Sequence, residues 1–247
     1  LGFLYRSVAL ALRFAERRSN FAAAVSHELK TPLTAIRMYG EMLRDDVVPS
    51  EAKRQEYYRH ITSESERLSR LINNVLEFAK LEKGNRRGRS VRAPVAATLA
   101  EVVEMMRPHA AEQGYELVLD VAPDLPAVRH EPDAFAQVLW NLIDNAVKYA
   151  RGTGNPRIVV SARRDPSDDR RVVVAVRDHG PGVESRHLRE IFSPFYRGEN
   201  ELTRTATGAG LGLALVRSLA ERMGAAVRGF NHPDGGFAVE IAFPIVG

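Results

Sequence analysis

The stretch "NLIDNAVKYA", residues 141–150, lies in a strongly apolar helical segment and carries two asparagines four residues apart. Because side chains at i and i+4 share one helix face, Asn141 and Asn145 form a polar stripe, with Lys148 and Tyr149 one turn further on. An unpaired buried amide costs roughly 1–3 kcal/mol, so a bound partner would explain the stripe. Amide oxygens can ligate Mg²⁺ and Lys148 can neutralise phosphates. Two asparagines hydrogen-bonded within the core explain the stretch equally well.

The pattern around this helix predicts an α+β fold. Helices are indicated at about 95–112, ending at Gly114, and from Pro132 to about 150. Alternating residues indicate a strand in "YELVLDV", and two hairpins pair "RIVVSAR" with "RVVVAVR" and "AAVRGF" with "GFAVEIAF". Locally paired strands with helices between them predict an α/β sandwich, with helices on one face of a mixed sheet.

A fixed carboxylate follows the strand in "VRDHGPGV", residues 176–183. Asp178 could accept a hydrogen bond from an exocyclic amine such as adenine N6, whereas guanine would present a second acceptor there. Gly180 and Gly182 permit close backbone approach. The D-x-G-x-G pattern alone is weak, because a simple turn also produces it.

Alternate glycines precede an apolar helix in "TGAGLGLALV". Backbone N–H groups around Gly208, Gly210, Leu211 and Gly212, together with a helix N-terminus, suit phosphates. The spacing fits neither the dinucleotide fingerprint nor the P-loop, and no protein-kinase signature is present. The polar stretch "YRGENELTRTAT" before it predicts a lid, from which Arg197 could reach a terminal phosphate.

The first part of the chain predicts a helical hairpin. Apolar residues recur at helical intervals over residues 1–46 and again over about 51–83. Each helix has more apolar face than one partner can cover, so two copies are expected to form a four-helix bundle. The basic, glycine-containing run at 82–94 is interpreted as a linker.

A histidine lies beside a carboxylate and before a proline in "SHELKTPL". With ~100° per residue, His27 points away from the apolar stripe and towards water. Glu28 could accept a hydrogen bond from Nδ1 and so make Nε2 a better nucleophile. Pro32 loosens this turn, and Thr31 lies on the same side one turn on. An ordinary surface histidine is the alternative.

The composition of the chain excludes some classes of site and partner. The chain has 247 residues and no cysteine, which excludes disulfides and thiolate sites and suits a reducing compartment. A formal net charge of +4 is too weak to indicate nucleic acid. No apolar run approaches the ~18 residues of a membrane span. Because the chain begins with Leu1, we expect a fragment, with any sensor or membrane anchor upstream.

Together, in this order, these motifs resemble the sensor histidine kinases of two-component systems. "SHELKTPL" is similar to the H box of the dimerisation and phosphotransfer domain, and "NLIDNAVKYA" to the N box. "DHGPG", "IFSPFYRG" and "TGAGLGLAL" are similar to the G1, F and G2 boxes. The resemblance covers about residues 20–247.

The resemblance implies a role for each motif residue, with ATP and Mg²⁺ as ligands. His27 would be phosphorylated by ATP, Glu28 would be its general base, and Thr31 would assist dephosphorylation of the partner regulator. Asn145 would coordinate Mg²⁺, and Asp178 would bind adenine N6. The other expected nucleotide-site and lid residues are Asn141, Lys148, Tyr149, Gly180, Gly182, Phe192, Phe195, Arg197, Gly208, Gly210, Leu211 and Gly212.

Four regions are expected: a signalling helix or linker at 1–19, the dimerisation and phosphotransfer domain at 20–83, a linker at 84–93, and the ATP-binding domain at 94–247. The expected partners are a second copy and the receiver domain of a response regulator, in the cytoplasm, with no nucleic acid. Two alternatives stay open: an ATPase of the same nucleotide-binding superfamily, and a nucleotide-sensing scaffold without phosphotransfer.

Overall fold

The computed structural model describes residues 23, 25–26, 28–82, 89–150, 154–194, 196 and 210–245. The chain divides into two compact units near residue 83. In these residues, no helix combines the length and hydropathy that a bilayer span requires.

The first unit contains the predicted helical hairpin. Helix α1 is continuous over residues 28–44, with Pro32 buried inside it, and α2 is Glu51–Glu82. Ser50 accepts a hydrogen bond from the backbone N–H of Lys53 at 3.3 Å, which is the N-cap arrangement that starts α2. A short loop therefore joins the two helices, as the sequence predicts.

The hairpin leaves large apolar side chains uncovered. Leu33 of α1 is 57% exposed, and Ile72 and Leu76 of α2 are 42% and 51% exposed. Ile72 and Leu76 are four residues apart and therefore share one face of α2. The exposure of Leu33 in the single chain shows that α2 alone does not cover this face of α1.

A five-stranded mixed sheet forms one layer of the second unit. Its strand order is β2-β4-β5-β7-β6, with β2 and β4 parallel and the other pairs antiparallel. A separate antiparallel pair joins β1 and β3. The strands are β1 (Val91–Ala93), β2 (Glu116–Val121), β3 (Val128–His130), β4 (Arg157–Asp165), β5 (Asp168–Arg177), β6 (Ala226–Asn231) and β7 (Phe237–Pro244).

Three helices form the second layer: α3 (Ala96–Glu112), α4 (Pro132–Tyr149) and α5 (Gly212–Arg222). Helix α4 packs against both α3 and α5. It starts where Glu131 is extended and Pro132 supplies its fixed φ at the first helical position. Because α4 lies between its two neighbours, most of its surface is buried, which explains its apolar sequence.

The core lies between the two layers. Ala162, Val174 and Ile241 lie side by side on β4, β5 and β7, and all three are buried. The predicted α+β architecture, the three long helices of this unit and both hairpins are confirmed. The predicted linker at 84–93 is wrong at its end, since Val91–Ala93 forms β1. Three residues beside a basic run are too few to show an alternating pattern.

Two glycines with open space around them predict opposite effects of an added methyl group. A Cβ atom at Gly40 in α1 or at Gly114 after α3 would meet nothing within 4 Å. Gly114 has a φ of +83°, which alanine adopts only with strain. We therefore expect Gly114→Ala to lower the free energy of unfolding by about 1 kcal/mol and Gly40→Ala to raise it by about 0.5–1 kcal/mol. Chemical denaturation measures both, and two changes of the same sign would contradict the assignment.

Candidate functional site

Two glycine motifs that are far apart in the sequence pack against the second half of α4. A Cβ atom at Gly212 would lie 3.4 Å from Oδ1 of Asn141 and 3.5 Å from Nδ2 of Asn145. A Cβ atom at Gly180 would lie only 2.9 Å from the backbone oxygen of Tyr149. The N-terminus of α5 therefore packs against the asparagine stripe, and the loop after β5 packs against the end of the same helix.

The two asparagines of α4 differ in their environment. Asn141 is buried, and its Nδ2 donates to the backbone oxygen of Gln137 at 2.8 Å. Asn145 is half-buried and makes no hydrogen bond to the residues that the structure describes. The core-bonded alternative therefore accounts for one amide hydrogen of Asn141, whereas the amide of Asn145 is available to a ligand.

The carboxylate of Asp178 is fixed by two backbone donors. Its Oδ1 accepts hydrogen bonds from the N–H groups of Gly180 at 2.8 Å and Phe237 at 3.1 Å. Its Oδ2 makes none within the described part of the chain. Burial raises the pKa of Asp178, although those two N–H groups oppose the shift. One oxygen is thus anchored while the other can accept from a bound donor.

The turn between β6 and β7 supports the loop after β5, and none of the motifs named above includes it. Asn231 accepts from the N–H of Val183 at 2.8 Å and donates to its carbonyl at 2.7 Å. A Cβ atom at Gly236 would lie 2.0 Å from the backbone oxygen of Asp178, so only glycine fits there. The signal that could have found these residues is the turn-forming run "NHPDGG".

A basic and acidic cluster lies beside the asparagine stripe. The ammonium group of Lys148 contacts Asp144 one turn earlier, and Nε2 of His109 from α3 lies 3.6 Å from Oδ1 of the same carboxylate. Burial alone would raise the pKa of Asp144, but His109 and Lys148 more than offset it and lower the pKa to about 2. Lys148, which was expected at phosphates, is therefore paired within the chain here.

The structure also describes several of the other residues that were expected at the nucleotide site and lid. Tyr149 is 42% exposed at the end of α4, and Leu211 is buried. Phe192 is buried, and its ring would lie 3.2 Å from a Cβ atom at Gly229 in β6. Gly182 and Gly210 lie within the described loops. Phe195, Arg197 and Gly208 lie outside the described residues.

The hairpin positions a carboxylate beside the expected phosphorylation site. Glu28 is buried, and its carboxylate lies 3.6 Å from Nη2 of Arg67 on α2, while Thr31 is exposed. His27 lies outside the described residues. Arg67 was not identified from the sequence, because nothing in a heptad-like helix distinguishes it from the other surface arginines.

The donor set favours one kind of metal. The described residues contain no group of three His, Cys, Asp or Glu side chains that could hold an ion. A single amide oxygen such as that of Asn145, completed by phosphate and water, suits Mg²⁺.

Two family models match this chain. The "His Kinase A (phospho-acceptor) domain" matches residues 17–84. The "Histidine kinase-, DNA gyrase B-, and HSP90-like ATPase" matches residues 130–247, which include α4, the loop after β5 and α5.

Curated relatives share the same two regions. Signal transduction histidine-protein kinase BarA of Escherichia coli is 31% identical over 89% of this chain and 24% of its own length. The autoinducer 2 sensor kinase/phosphatase LuxQ of Vibrio parahaemolyticus is 31% identical over 95% of this chain and 27% of its own length. The "Non-motile and phage-resistance protein" of Caulobacter vibrioides is 31% identical over 92% of this chain and 27% of its own length. The chain thus spans about a quarter of the curated relatives that it matches.

Solved structures are similar in fold. Full-length ShkA in complex with AMPPNP matches with a TM-score of 0.62 and 28% identity, over 91% of this chain and 46% of that chain. The Acinetobacter baumannii histidine kinase AdeS matches with a TM-score of 0.65 and 21% identity, over 90% of this chain and 98% of that chain.

Asp144 and Asp178 have pKa values shifted in opposite directions, and they therefore predict opposite effects on stability. The folded-state pKa of Asp144 is depressed, so its ionised form stabilises the fold above pH ~4, and this stabilisation is lost as the pH falls towards 2. We expect Asp144→Asn to lower the free energy of unfolding at pH 7 by about 1–2 kcal/mol. The folded-state pKa of Asp178 is raised, so its ionisation at neutral pH disfavours the fold.

Asp178→Asn should therefore leave the free energy of unfolding at pH 7 unchanged or higher, because the amide oxygen can still accept from both N–H groups. Thermal unfolding between pH 2 and pH 7 measures both variants against the wild type. If Asp178→Asn lowered the free energy of unfolding as much as Asp144→Asn does, the opposite pKa shifts assigned to these two carboxyl groups would be wrong.

Proposed function

The chain belongs to the histidine kinases, and we propose that it phosphorylates itself on His27 with ATP and passes the phosphoryl group to an aspartate of a response regulator. One observation carries the proposal: the asparagine stripe, Asp178 and the start of α5 converge on α4 in a chain that also holds a phospho-acceptor hairpin. A superfamily ATPase without phosphotransfer has no use for that hairpin.

The nucleotide is proposed to bind across the end of α4. The unanchored oxygen of Asp178 would accept from adenine N6, and exposed Tyr149 would lie against the base. The phosphates would lie between Asn141, Asn145 and the N-terminus of α5, where backbone N–H groups and the helix dipole favour anions. The fold similarity to ShkA, which was solved with AMPPNP, supports this choice of ligand.

Asn145 is the residue proposed to hold Mg²⁺. Its amide makes no hydrogen bond to the described residues and lies beside Gly212 at the proposed phosphate site. A neutral oxygen ligand adds no negative charge next to the phosphates. When bound, the ion neutralises charge on the phosphate oxygens and orients them for in-line displacement.

The phosphoryl transfer is proposed to begin at Nε2 of His27. The lone pair of Nε2 attacks the γ-phosphorus, the bond to the bridging oxygen breaks, and ADP leaves with that electron pair. Glu28 would orient the ring through Nδ1–H and take its proton as positive charge develops. The Arg67 guanidinium, 3.6 Å from Glu28, would keep that carboxylate in place.

The proposed partners follow from the hairpin. A second copy would cover the exposed side chains of Leu33, Ile72 and Leu76 and complete a four-helix bundle. The phosphoryl group would pass to a receiver domain. Thr31 is exposed one turn after His27, and the name of LuxQ as a kinase/phosphatase supports a role for Thr31 in removing the phosphoryl group from the regulator.

Labelling with γ-labelled ATP tests the proposed activity. The wild-type chain should become labelled, and the label should be lost in acid and survive base, as phosphohistidine does. His27→Gln should abolish the label because the proposed nucleophile is removed. His60→Gln is the matched control, since His60 is an exposed histidine of the same hairpin, and it should label normally.

Asp178→Asn extends that test to the nucleotide site. This variant should stay folded yet lose AMPPNP–Mg²⁺ binding by at least about tenfold, because an amide N–H₂ would face adenine N6. Label that persists on His27→Gln would overturn the phosphorylation site. Nucleotide hydrolysis without labelling of the wild type would favour the superfamily ATPase, and binding without either would favour a scaffold.

The proposed dimer is tested on the exposed face of α2. Replacing Ile72 and Leu76 together by serine should shift the chain from dimer towards monomer, because both side chains lose apolar contact area with the second copy. Val47→Ser is the control, since Val47 is 65% exposed at the hairpin loop. Sedimentation equilibrium measures the association constant. A double variant that dimerises as tightly as the control would contradict this interface.

A further inference from the structure

Asp144 is a charged side chain at the edge of the proposed nucleotide site that the phosphoryl-transfer scheme does not use. Its carboxylate contacts the ammonium group of Lys148 and faces Nε2 of His109 at 3.6 Å on the other oxygen. The three side chains are each only partly exposed, Asp144 least of all. Two basic groups from two different helices therefore converge on one carboxylate.

The position of Lys148 on α4 lets it reach either this carboxylate or the asparagine stripe. Lys148 is seven positions after Asn141, so the two side chains leave the helix axis only ~20° apart. Lys148 is four positions after Asp144, which places these two side chains ~40° apart, with Asn141 and Asp144 on opposite sides of Lys148. Lysine side chains lean towards the helix N-terminus, which brings the ammonium group back to the level of Asp144 and Asn145. A small rotation of the side chain would exchange one partner for the other.

We propose that Asp144 is a positioning residue that holds Lys148 as an internal counter-ion until a nucleotide phosphate replaces it, while His109 retains Asp144. This inference rests on the proposed function, because it assigns Lys148 to phosphate. Without nucleotide, the Asp144 carboxylate binds the Lys148 ammonium group where a phosphate oxygen would otherwise bind. A nucleotide must therefore displace Asp144 from Lys148, and this competition lowers the affinity of the site for the nucleotide.

A simple charge effect is the competing explanation. Removing any carboxylate near the pocket would favour an anionic ligand, with or without Lys148. The exchange proposal differs because it requires Lys148: without that side chain, Asp144 has nothing to withhold from the phosphate. A double-mutant cycle separates the two explanations.

The experiment measures AMPPNP–Mg²⁺ binding by isothermal titration calorimetry to the full chain and four variants: Asp144→Asn, Lys148→Met, the double variant and Glu104→Gln. Lys148→Met should weaken binding. Asp144→Asn should tighten it by about three- to fivefold, the factor for breaking a partly exposed ion pair. In the Lys148→Met background, the same change should have less than about half that effect. Glu104→Gln, which removes an exposed carboxylate on the helix that carries His109, should leave the affinity unchanged.

Three results would overturn the inference. Asp144→Asn could leave the affinity unchanged or weaken it, or it could tighten binding equally with and without Lys148. Circular dichroism at the titration temperature verifies that each variant is folded. If the wild type binds no AMPPNP, the proposed function itself fails. If the wild type binds and labels on His27 but Lys148→Met binds as tightly, only the role of Lys148, and with it this inference, is lost.

Discussion

The second unit depends on the close contact between glycines and the end of α4. A Cβ atom at Gly180 would collide with the backbone at the end of α4, so the missing side chain lets the loop after β5 approach that end closely. A Cβ atom at Gly212 would already be in van der Waals contact with Asn141 and Asn145, so the start of α5 lies directly against the asparagine stripe. The sheet fixes the loop, because Asp178 directly follows β5 at the centre of five strands. The apolar surface of α4 secures the helix between α3 and α5. A polar site is thereby built at the rim of a rigid core.

The site contains two polar groups that keep hydrogen-bonding capacity for a ligand. Asp178 is a buried carboxylate with a raised pKa, and Asn145 has no hydrogen bond to the described residues. The raised pKa of Asp178 means that its ionised form is disfavoured in the fold, whereas the half-buried amide of Asn145 is open to a ligand at no such cost. The opposite situation holds for Asp144, which is stabilised by Lys148 and His109. Near the same end of α4, the carboxylate of Asp144 therefore stabilises the fold, whereas that of Asp178 suits ligand binding and is unfavourable for folding when ionised.

The sequence predicted the helices, both hairpins and the α+β class because each has a strong local period or turn signal. The motifs also predicted Asn145, Asp178 and Gly212 as site residues. The structure places Gly212 against Asn145 and the loop of Asp178 against the end of α4, and their roles stay predictions. The sequence could not predict that β2 pairs in parallel with β4, or that β1 lies within the expected linker, because pairing between distant strands leaves no local pattern. Asn231, His109 and Arg67 were missed for the same reason: their roles come from residues on other elements.

The central claim is that three separate segments form one nucleotide pocket on α4, and amide hydrogen exchange with and without AMPPNP–Mg²⁺ tests it most directly. The account predicts that saturating ligand slows exchange together in residues 141–150, 176–183 and 210–216, while residues 51–82 of α2 are unaffected. Protection that is absent, that is confined to one of the three segments, or that falls mainly on the hairpin would contradict it.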